Sequence, residues 1–509
     1  METGLRQGDR HLPHRDFQAR VARAAGGFAK LGLGTGDTVA LLMRNDIAFL
    51  EASLAATQIG AYAVPINWHA TAPEIGFILK DSDARALVAH TDLLGRLTQR
   101  ELAGLAVFAV DTPSEIVAAY RLPPQAGESP PPATGWNDWL AVQAPHAGES
   151  NAAMQSMLYT SGTTGRPKGV RRLAPTPAQK QHMQEIRRTV YGVGPGRRIL
   201  VPGPLYHGAP NGIALSAAAT ADLLVLMPRF EPERLLALVE QHRIDSLFMV
   251  PTMFVRLLAL PAAVRDRYDL SSLRFVLHAA APCPPDIKRR LIDWWGPVIN
   301  EFYGGTESGP IAFCNSADWL ERPGTVGRPT DGTVMKILDD DGNECPPGVP
   351  GEIFARLTHY PDFTYHRLDD RRREIERDGL ITLGDVGYRD ADGFLFLCDR
   401  KRDMAIIGGA NVYPAEIEAV LGAMPGVKDC AVFGVPDAEY GETLLALVEA
   451  HGDTTLRPDD VAAFLRGRLS GFKMPRRIEI RDHLPREDSG KILKRRLREP
   501  YWQQAGRAI

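Results

Sequence analysis

Apolar residues recur along the first part of the chain with two alternating periods. Phe17, Val21, Ala24, Phe28 and Leu31 fall on one face of a helix that Gly32 ends. A compact apolar run over residues 38–43 predicts a buried strand, 47–59 an apolar helix, and 61–66 a second strand. An amphipathic stretch at 72–79 then leads into a strand at 84–88. Strand–helix–strand units of this length pair in parallel, with helices covering the sheet faces. The alternation returns later in the chain. Residues 199–201, 223–227, 246–250, 274–277 and 297–299 predict short buried strands, with helices at 232–241 and 286–294 between them.

Polar residues collect after these strands, at Tyr206-His207-Gly208, His278-Ala279-Ala280 and Tyr303-Gly304-Gly305-Thr306-Glu307. Ligands in open α/β sheets bind outside the carboxyl ends of the strands, so these loops are expected to share one crevice. They are expected to meet the stretch that follows Met157-Leu158-Tyr159, where Thr160-Ser161-Gly162-Thr163-Thr164-Gly165-Arg166-Pro167 closes on Lys168. Glycines let backbone N–H groups turn inward as a nest, the hydroxyls add donors, and Lys168 adds a positive charge. That chemistry suits an oxyanion. The common phosphate-binding Gly-x4-Gly-Lys-Ser/Thr pattern is absent, because Pro167 precedes Lys168 and Gly169 follows it.

The texture shifts three times along the chain. Residues 121–152, rich in Pro, Gly, Ser and Ala, read as a surface linker. Residues 326–396 turn shorter and richer in strands, which predicts a small β subdomain. At 399–403, Asp-Arg-Lys-Arg-Asp interrupts apolar strands, and about a hundred residues of mixed α+β character follow. The expected fold is therefore α/β: a large N-terminal domain of parallel-rich sheets flanked by helices plus a small β subdomain (1–400), then a mobile α+β C-terminal domain (401–509).

Composition narrows the function classes. Hydrophobic content of 44% and charged content of 24% are ordinary for a globular protein. A net charge of −3 gives no bulk electrostatic case for nucleic acid or an acidic membrane. The basic run Lys494-Arg495-Arg496 reads as a solvated helix face. Five scattered cysteines without a Cys-x-x-Cys pair favour neither a zinc site nor a disulfide framework. No apolar signal core opens the chain and no unbroken 18-residue apolar span occurs, so the cytoplasm is expected.

These residues together resemble the adenylate-forming (AMP-binding) ligases, in the branch of acyl-CoA synthetases and aryl-CoA ligases. The resemblance runs over nearly the whole chain in family order. Residues 160–169 are similar to the phosphate loop, and Pro204-Leu205-Tyr206-His207 to the acyl-site segment. Tyr303-Gly304-Gly305-Thr306-Glu307 resembles the Tyr-Gly-x-Thr-Glu signature, and Thr382-Leu383-Gly384-Asp385 the Thr-Gly-Asp element with one inserted residue. Residues 400–418 resemble the hinge and the Gly-x4-Pro-x-Glu-Ile-Glu segment, and 485–491 the segment bearing the catalytic lysine.

The resemblance implies ATP, Mg²⁺ and coenzyme A as reactants and a two-step reaction. A carboxylate attacks the α-phosphorus of ATP, pyrophosphate leaves, and a thiol then displaces AMP. By resemblance, Thr160, Ser161, Gly162, Thr163, Thr164 and Lys168 hold the departing phosphates, Thr306 contacts the α-phosphate, and Glu307 holds Mg²⁺. Tyr303 stacks on adenine beside Ala280 and Gly304, while Asp385 accepts the ribose hydroxyls with Arg400 assisting. Lys491 bridges carboxylate and α-phosphate, and His207 walls or gates the acyl pocket. Arg402 marks the hinge; Gly408 and Gly409 line the thiol tunnel, and Tyr440, Phe472 and Lys473 contact CoA. Three departures stand out: Arg402 where Asp or Lys is usual, Ala279 where glycine is frequent, and Glu301 in place of an amide.

The residues expected around the acyl group, 207–211, 279–281 and 304–305, include no Arg or Lys to pair a second carboxylate and no Asp for an amino group. An apolar monocarboxylic acid, fatty or bulky aromatic or alicyclic, is the expected substrate. Two other readings stay open: a stand-alone adenylating enzyme that loads a carrier protein, and a nucleotide-binding protein without chemistry. The partners are thus small molecules, with no nucleic acid and no transmembrane segment, and a homodimer is compatible with the chain.

Overall fold

The computed structural model describes residues 2–123, 133–148, 156–160, 167–401, 403–407, 410–437, 441–452, 454–466, 468–469, 471–486 and 492–504. The first sheet is the parallel one that the apolar alternation predicts. Tyr62–Pro65, Thr38–Leu42, Ala84–His90 and Ala106–Val110 lie side by side in that order, every pair parallel. Between the first two strands runs the helix Ile47–Gln58, started by Asp46, whose side chain accepts from the Ala48 N–H.

The second sheet has a parallel centre, ordered Leu223–Leu226, Arg198–Val201, Ser246–Met249, Phe275–His278, Ile299–Gly305. Buried Asn45 stitches the two sheets together. Its Nδ2 donates to the carbonyls of Gly203 and Met227, each at 2.9 Å, and its Oδ1 accepts from the Leu205 N–H at 2.9 Å. From Ile299–Gly305 the pairing turns antiparallel through Gly309–Cys314 and Thr325–Pro329. It continues into the strands Leu395–Arg400, Leu380–Arg389, Gly351–Leu357 and Thr333–Leu338, the expected β subdomain.

Three expectations need correction. The stretch 121–152 is not all surface linker: Thr134–Gly135 adds a parallel strand to the first sheet, and the helix Trp136–Ala141 follows. Trp136 is buried against Phe28 and Phe108, and its indole N–H donates to Glu51 at 2.9 Å. Two large apolar rings outweigh the turn-rich surroundings. The fifth central strand begins at Ile299, and Tyr303-Gly304-Gly305 belongs to it rather than to a loop. Its polar residues Asn300 and Glu301 disguise a buried strand. Finally, Lys494 is not part of a solvated face, because its ammonium lies 2.8 Å from the carboxylate of Glu418.

The C-terminal part has its own core. Ala405–Ile407, Ala410–Val412, Val427–Asp437 and Gly441–Ala450 pair antiparallel, and Arg477–Arg481 adds in parallel to Gly441–Ala450. Ile417, Leu421, Val432, Leu444, Val461 and Leu465 pack inside it. No helix among the described residues is long and apolar enough to cross a membrane.

Candidate active site

The phosphate-type loop hangs between two paired strands. Leu158–Thr160 runs antiparallel to Lys168–Arg172, with Thr160 opposite Lys168, so both ends of the loop are held together. Ser161, Gly162, Thr163 and Thr164 lie outside the described residues. A third strand, Phe363–Tyr365, pairs with Lys168–Arg172 on its other side. It brings the Tyr365 ring to 5.0 Å from the Lys168 ammonium, and the Tyr365 hydroxyl donates to Oε1 of Glu307 at 3.1 Å. Burial, then the nearby Glu307 carboxylate, raises the Tyr365 pKa, so the phenol stays a neutral donor. A cation and a carboxylate thus share one aromatic ring.

Thr306 and Glu307 sit in the turn between Ile299–Gly305 and Gly309–Cys314, and a buried cation holds that turn. The Arg172 guanidinium donates to the carbonyl oxygens of Thr306 at 2.7 Å, Glu307 at 2.9 Å and Pro361 at 2.8 Å. It also lies 4.8 Å from the centre of the Tyr360 ring. Gly304 must be glycine, since a Cβ there would lie 1.9 Å from the Gly309 carbonyl oxygen. Thr306 faces the His207 segment: a Cβ on Gly208 would meet Thr306 Oγ1 at 3.5 Å and Leu158 Cδ1 at 3.2 Å.

Tyr303 is buried, and its hydroxyl donates to Oδ2 of Asp385 at 2.7 Å. Asp385 lies on Leu380–Arg389 directly across from Arg400 in the neighbouring strand. Leu383, the residue inserted into the Thr-Gly-Asp element, has its Cδ1 3.0 Å from where a Gly305 Cβ would stand. The inserted residue therefore covers Gly305 of the signature strand, and Asp385 reaches the Tyr303 hydroxyl. The side chain of Arg400, and Arg402 entirely, lie outside the described residues.

His207 precedes the helix Gly208–Thr220, half-buried, its ring 4.5 Å from that of Tyr206. One turn into the helix, buried Asn211 accepts from Ser156 Oγ at 2.8 Å and donates to the Leu205 carbonyl at 2.9 Å. The rings of Tyr191 and Phe248 contact that of Phe302 at 5.5 and 6.4 Å, next in chain to Tyr303. Ala279 is buried, whereas Ala280 is exposed at φ +74°, a left-handed backbone that an alanine adopts only under strain. Glu301 is occupied: its Oε2 lies 2.6 Å from Nζ of Lys288 on the helix Pro285–Trp295 and 3.4 Å from Nε2 of His278. Burial raises the Glu301 pKa and, with help from Lys288, pulls that of His278 down.

Of the C-terminal residues expected at the site, Gly408, Gly409, Tyr440 and Lys491 lie outside the described residues, as does the Phe472 side chain. Lys473 ends the short 3₁₀ turn Gly471–Lys473 and donates to both carboxylate oxygens of Glu416 at 2.7 Å. Sequence reasoning missed Arg172, Tyr365 and Lys288. Arg172 sits on the same strand as Lys168 and could have been found by extending the phosphate loop; the other two carry no local signal.

Comparison with known proteins bears directly on this arrangement. The AMP-binding enzyme family model matches residues 3–359, and that of the AMP-binding enzyme C-terminal domain matches 416–491. Feruloyl-CoA synthase from Amycolatopsis sp is 34% identical over 98% of this chain and 96% of its own. Indoleacetate–CoA ligase from Aromatoleum aromaticum is 29% identical over 98% and 95%. Among solved structures, the amide bond synthetase McbA from Marinactinospora thermotolerans superposes with a TM-score of 0.84, at 27% identity over 98% of this chain and 97% of that one. The chain belongs to the AMP-binding enzyme family, the adenylate-forming ligases, and within it to the branch of acyl- and aryl-CoA ligases.

Proposed function

We propose that this protein is an ATP-dependent, AMP-forming carboxylic acid–CoA ligase acting on an apolar aromatic or aryl-alkyl monocarboxylic acid. The observation that carries the reading is the meeting of four separate segments: Lys168 and Glu307 on Tyr365, and Tyr303 on Asp385. That layout suits a nucleoside triphosphate, with a cation and hydroxyls at the phosphate end and a ring plus a carboxylate at the nucleoside end.

In the first step a carboxylate oxygen of the acid bonds to the α-phosphorus and the bond to pyrophosphate breaks. The carboxylate is already ionised at neutral pH, so positioning and charge stabilisation do the work. Lys168 and Thr160 hold the departing phosphates together with Ser161, Gly162, Thr163 and Thr164, and Thr306 holds the α-phosphate. Glu307 offers a hard oxygen beside those phosphates, which fits Mg²⁺, an ion that takes one or two carboxylates plus substrate oxygens. Mg²⁺ held there supplies charge neutralisation along the phosphates. Asp385 receives the ribose hydroxyls, Tyr303 covers adenine against Ala280, and Lys491 neutralises charge at the reacting oxygens. In the second step the CoA thiol loses its proton and its sulfur attacks the acyl carbonyl, expelling AMP. Gly408 and Gly409 line its approach, with Tyr440, Phe472 and Lys473 along the CoA path and Arg402 as the hinge.

The aromatic substrate class is supported by the feruloyl and indoleacetate relatives and by the ring cluster in which Tyr191 and Phe248 pack on Phe302 of the signature strand. The test is AMP release from ATP-Mg²⁺ across a panel of aryl, aryl-alkyl and fatty acids, with and without CoA, with products weighed by mass spectrometry. Aryl-CoA formation that disappears in Lys491→Ala is the expected result. Adenylate without thioester would move the reading to carrier-protein loading, and a fatty-acid preference would overturn the substrate class.

A further inference from the structure

Beside the proposed site, three ligand-type side chains from distant parts of the chain converge. His182 lies on the helix Pro177–Thr189, Asp331 in the loop before Thr333–Leu338, and His359 in the turn after Gly351–Leu357. One donor atom from each lies within 4.8 Å of the other two. His182 Nδ1 is 3.9 Å from Asp331 Oδ2, beyond hydrogen-bond reach, and the two imidazole rings stand 5.0 Å apart at 80°.

The His182 ring is mostly buried, and its Nε2 has no hydrogen-bond partner among the described residues. The nitrogen that faces Asp331 is Nδ1, on the other side of the same mostly buried ring.

The backbone under the three residues is pinned independently of any ion. Gln179, one turn before His182, donates to the Tyr360 carbonyl at 3.2 Å, tying the helix to the His359 turn. The Thr358 N–H and hydroxyl both donate to the Gly332 carbonyl, at 2.9 and 2.8 Å, tying that turn to the Asp331 loop. Gly332 has φ +75°, and a Cβ there would lie 2.8 Å from His359 Nδ1, so glycine is what lets His359 come this close.

We propose that His182, Asp331 and His359 form a binding site for a divalent transition metal, with Zn²⁺ as the matching ion. Two imidazoles and one carboxylate are a donor set of borderline softness, with water completing a tetrahedron. Donors in such a site stand about 3.4 Å apart, so closure needs movements of roughly 1 Å. The Asp331 side chain, 91% exposed, is free to swing that far. The bound ion braces the helix Pro177–Thr189, which directly follows the strand carrying Lys168 and Arg172, against the β subdomain.

The full-length protein, freed of metal and chelator, is titrated with Zn²⁺ by calorimetry and with Co²⁺ by visible absorption, in the absence of nucleotide. One equivalent of Zn²⁺ is expected, with affinity falling at least about tenfold in H182Q, H359Q and D331N. A Zn²⁺-induced rise in melting temperature, lost in H359Q and D331N, is expected alongside it. Both of these variants alter exposed side chains, so the fold is expected to be retained. Unchanged binding in the histidine variants, a Co²⁺ spectrum with thiolate charge-transfer bands, or no uptake at all would each overturn the site.

Discussion

Tyr303 donates a 2.7 Å hydrogen bond to Asp385 across 82 residues of sequence, joining the ring proposed to cover adenine to the carboxylate proposed to take the ribose. The bond aims a buried carboxylate-facing phenol and a half-buried aspartate at the same ligand. Tyr303→Phe keeps the ring and removes only the donor. We expect KM for ATP to rise about tenfold, the worth of one hydrogen bond to a charged group, with kcat little changed. Initial rates against ATP concentration check this, and an unchanged KM would separate the two residues functionally.

Arg172 is expected to act through the turn it holds. Arg172→Ala leaves three carbonyls without their donor and should lower stability by about 3 kcal/mol. Because Thr306 and Glu307 then lose their fixed geometry, kcat for adenylation should fall on the order of a hundredfold. Denaturant unfolding and pyrophosphate exchange measured on one preparation give both numbers.

Tyr365→Phe deletes the hydroxyl that donates to Glu307 while keeping the ring beside Lys168. The carboxylate then has one fixed partner fewer, so the Mg²⁺ concentration for half-maximal activity should rise about tenfold, the lower end of the effect of losing an outer-shell hydrogen bond. Titration of activity with Mg²⁺ at saturating ATP is the measurement, and chelation should abolish turnover in both proteins.

The buried Lys288–Glu301 pair predicts a pH effect on stability. Burial raises the Glu301 pKa, so the folded state binds the proton more tightly than the unfolded chain. Its contribution is therefore fully present below the ordinary carboxyl pKa and is lost as pH rises through the raised folded value. Glu301→Gln removes that titration, and the difference in stability between variant and wild type should move in favour of the variant as pH increases from 4 upward. Lys288→Met alone should cost about 3–5 kcal/mol by leaving a buried carboxylate unpaired, and adding Glu301→Gln should recover much of it. Melting curves over a pH series test both statements.

Ala280 at φ +74° offers a stabilising change. Ala280→Gly should raise stability by about 1 kcal/mol, because relief of the left-handed strain outweighs the added freedom of the unfolded chain. A fall in melting temperature would show that the surrounding loop holds the alanine without strain.

Much of the architecture follows from local pattern alone. Alternating apolar runs between Thr38 and His90 determine parallel strands with covering helices, since a strand buried on both faces has to be apolar throughout. Tyr303, Asp385, Thr306 and Glu307 could be picked out as site candidates because glycines and polar residues at fixed spacing stand out as motifs. The core role of Trp136 was hidden by its Pro- and Gly-rich surroundings, and the strand carrying Tyr303 by the buried polar pair of Glu301 with Lys288. Packing of the whole chain, by contrast, brings together segments with no sequence relation: Tyr365 on Glu307 and Lys168, Arg172 on the Thr306 turn, and His182 with Asp331 and His359. Periodicity reports which face of an element is buried, but the partner across that face is chosen by sheet order and register, and these are settled only when the whole chain packs.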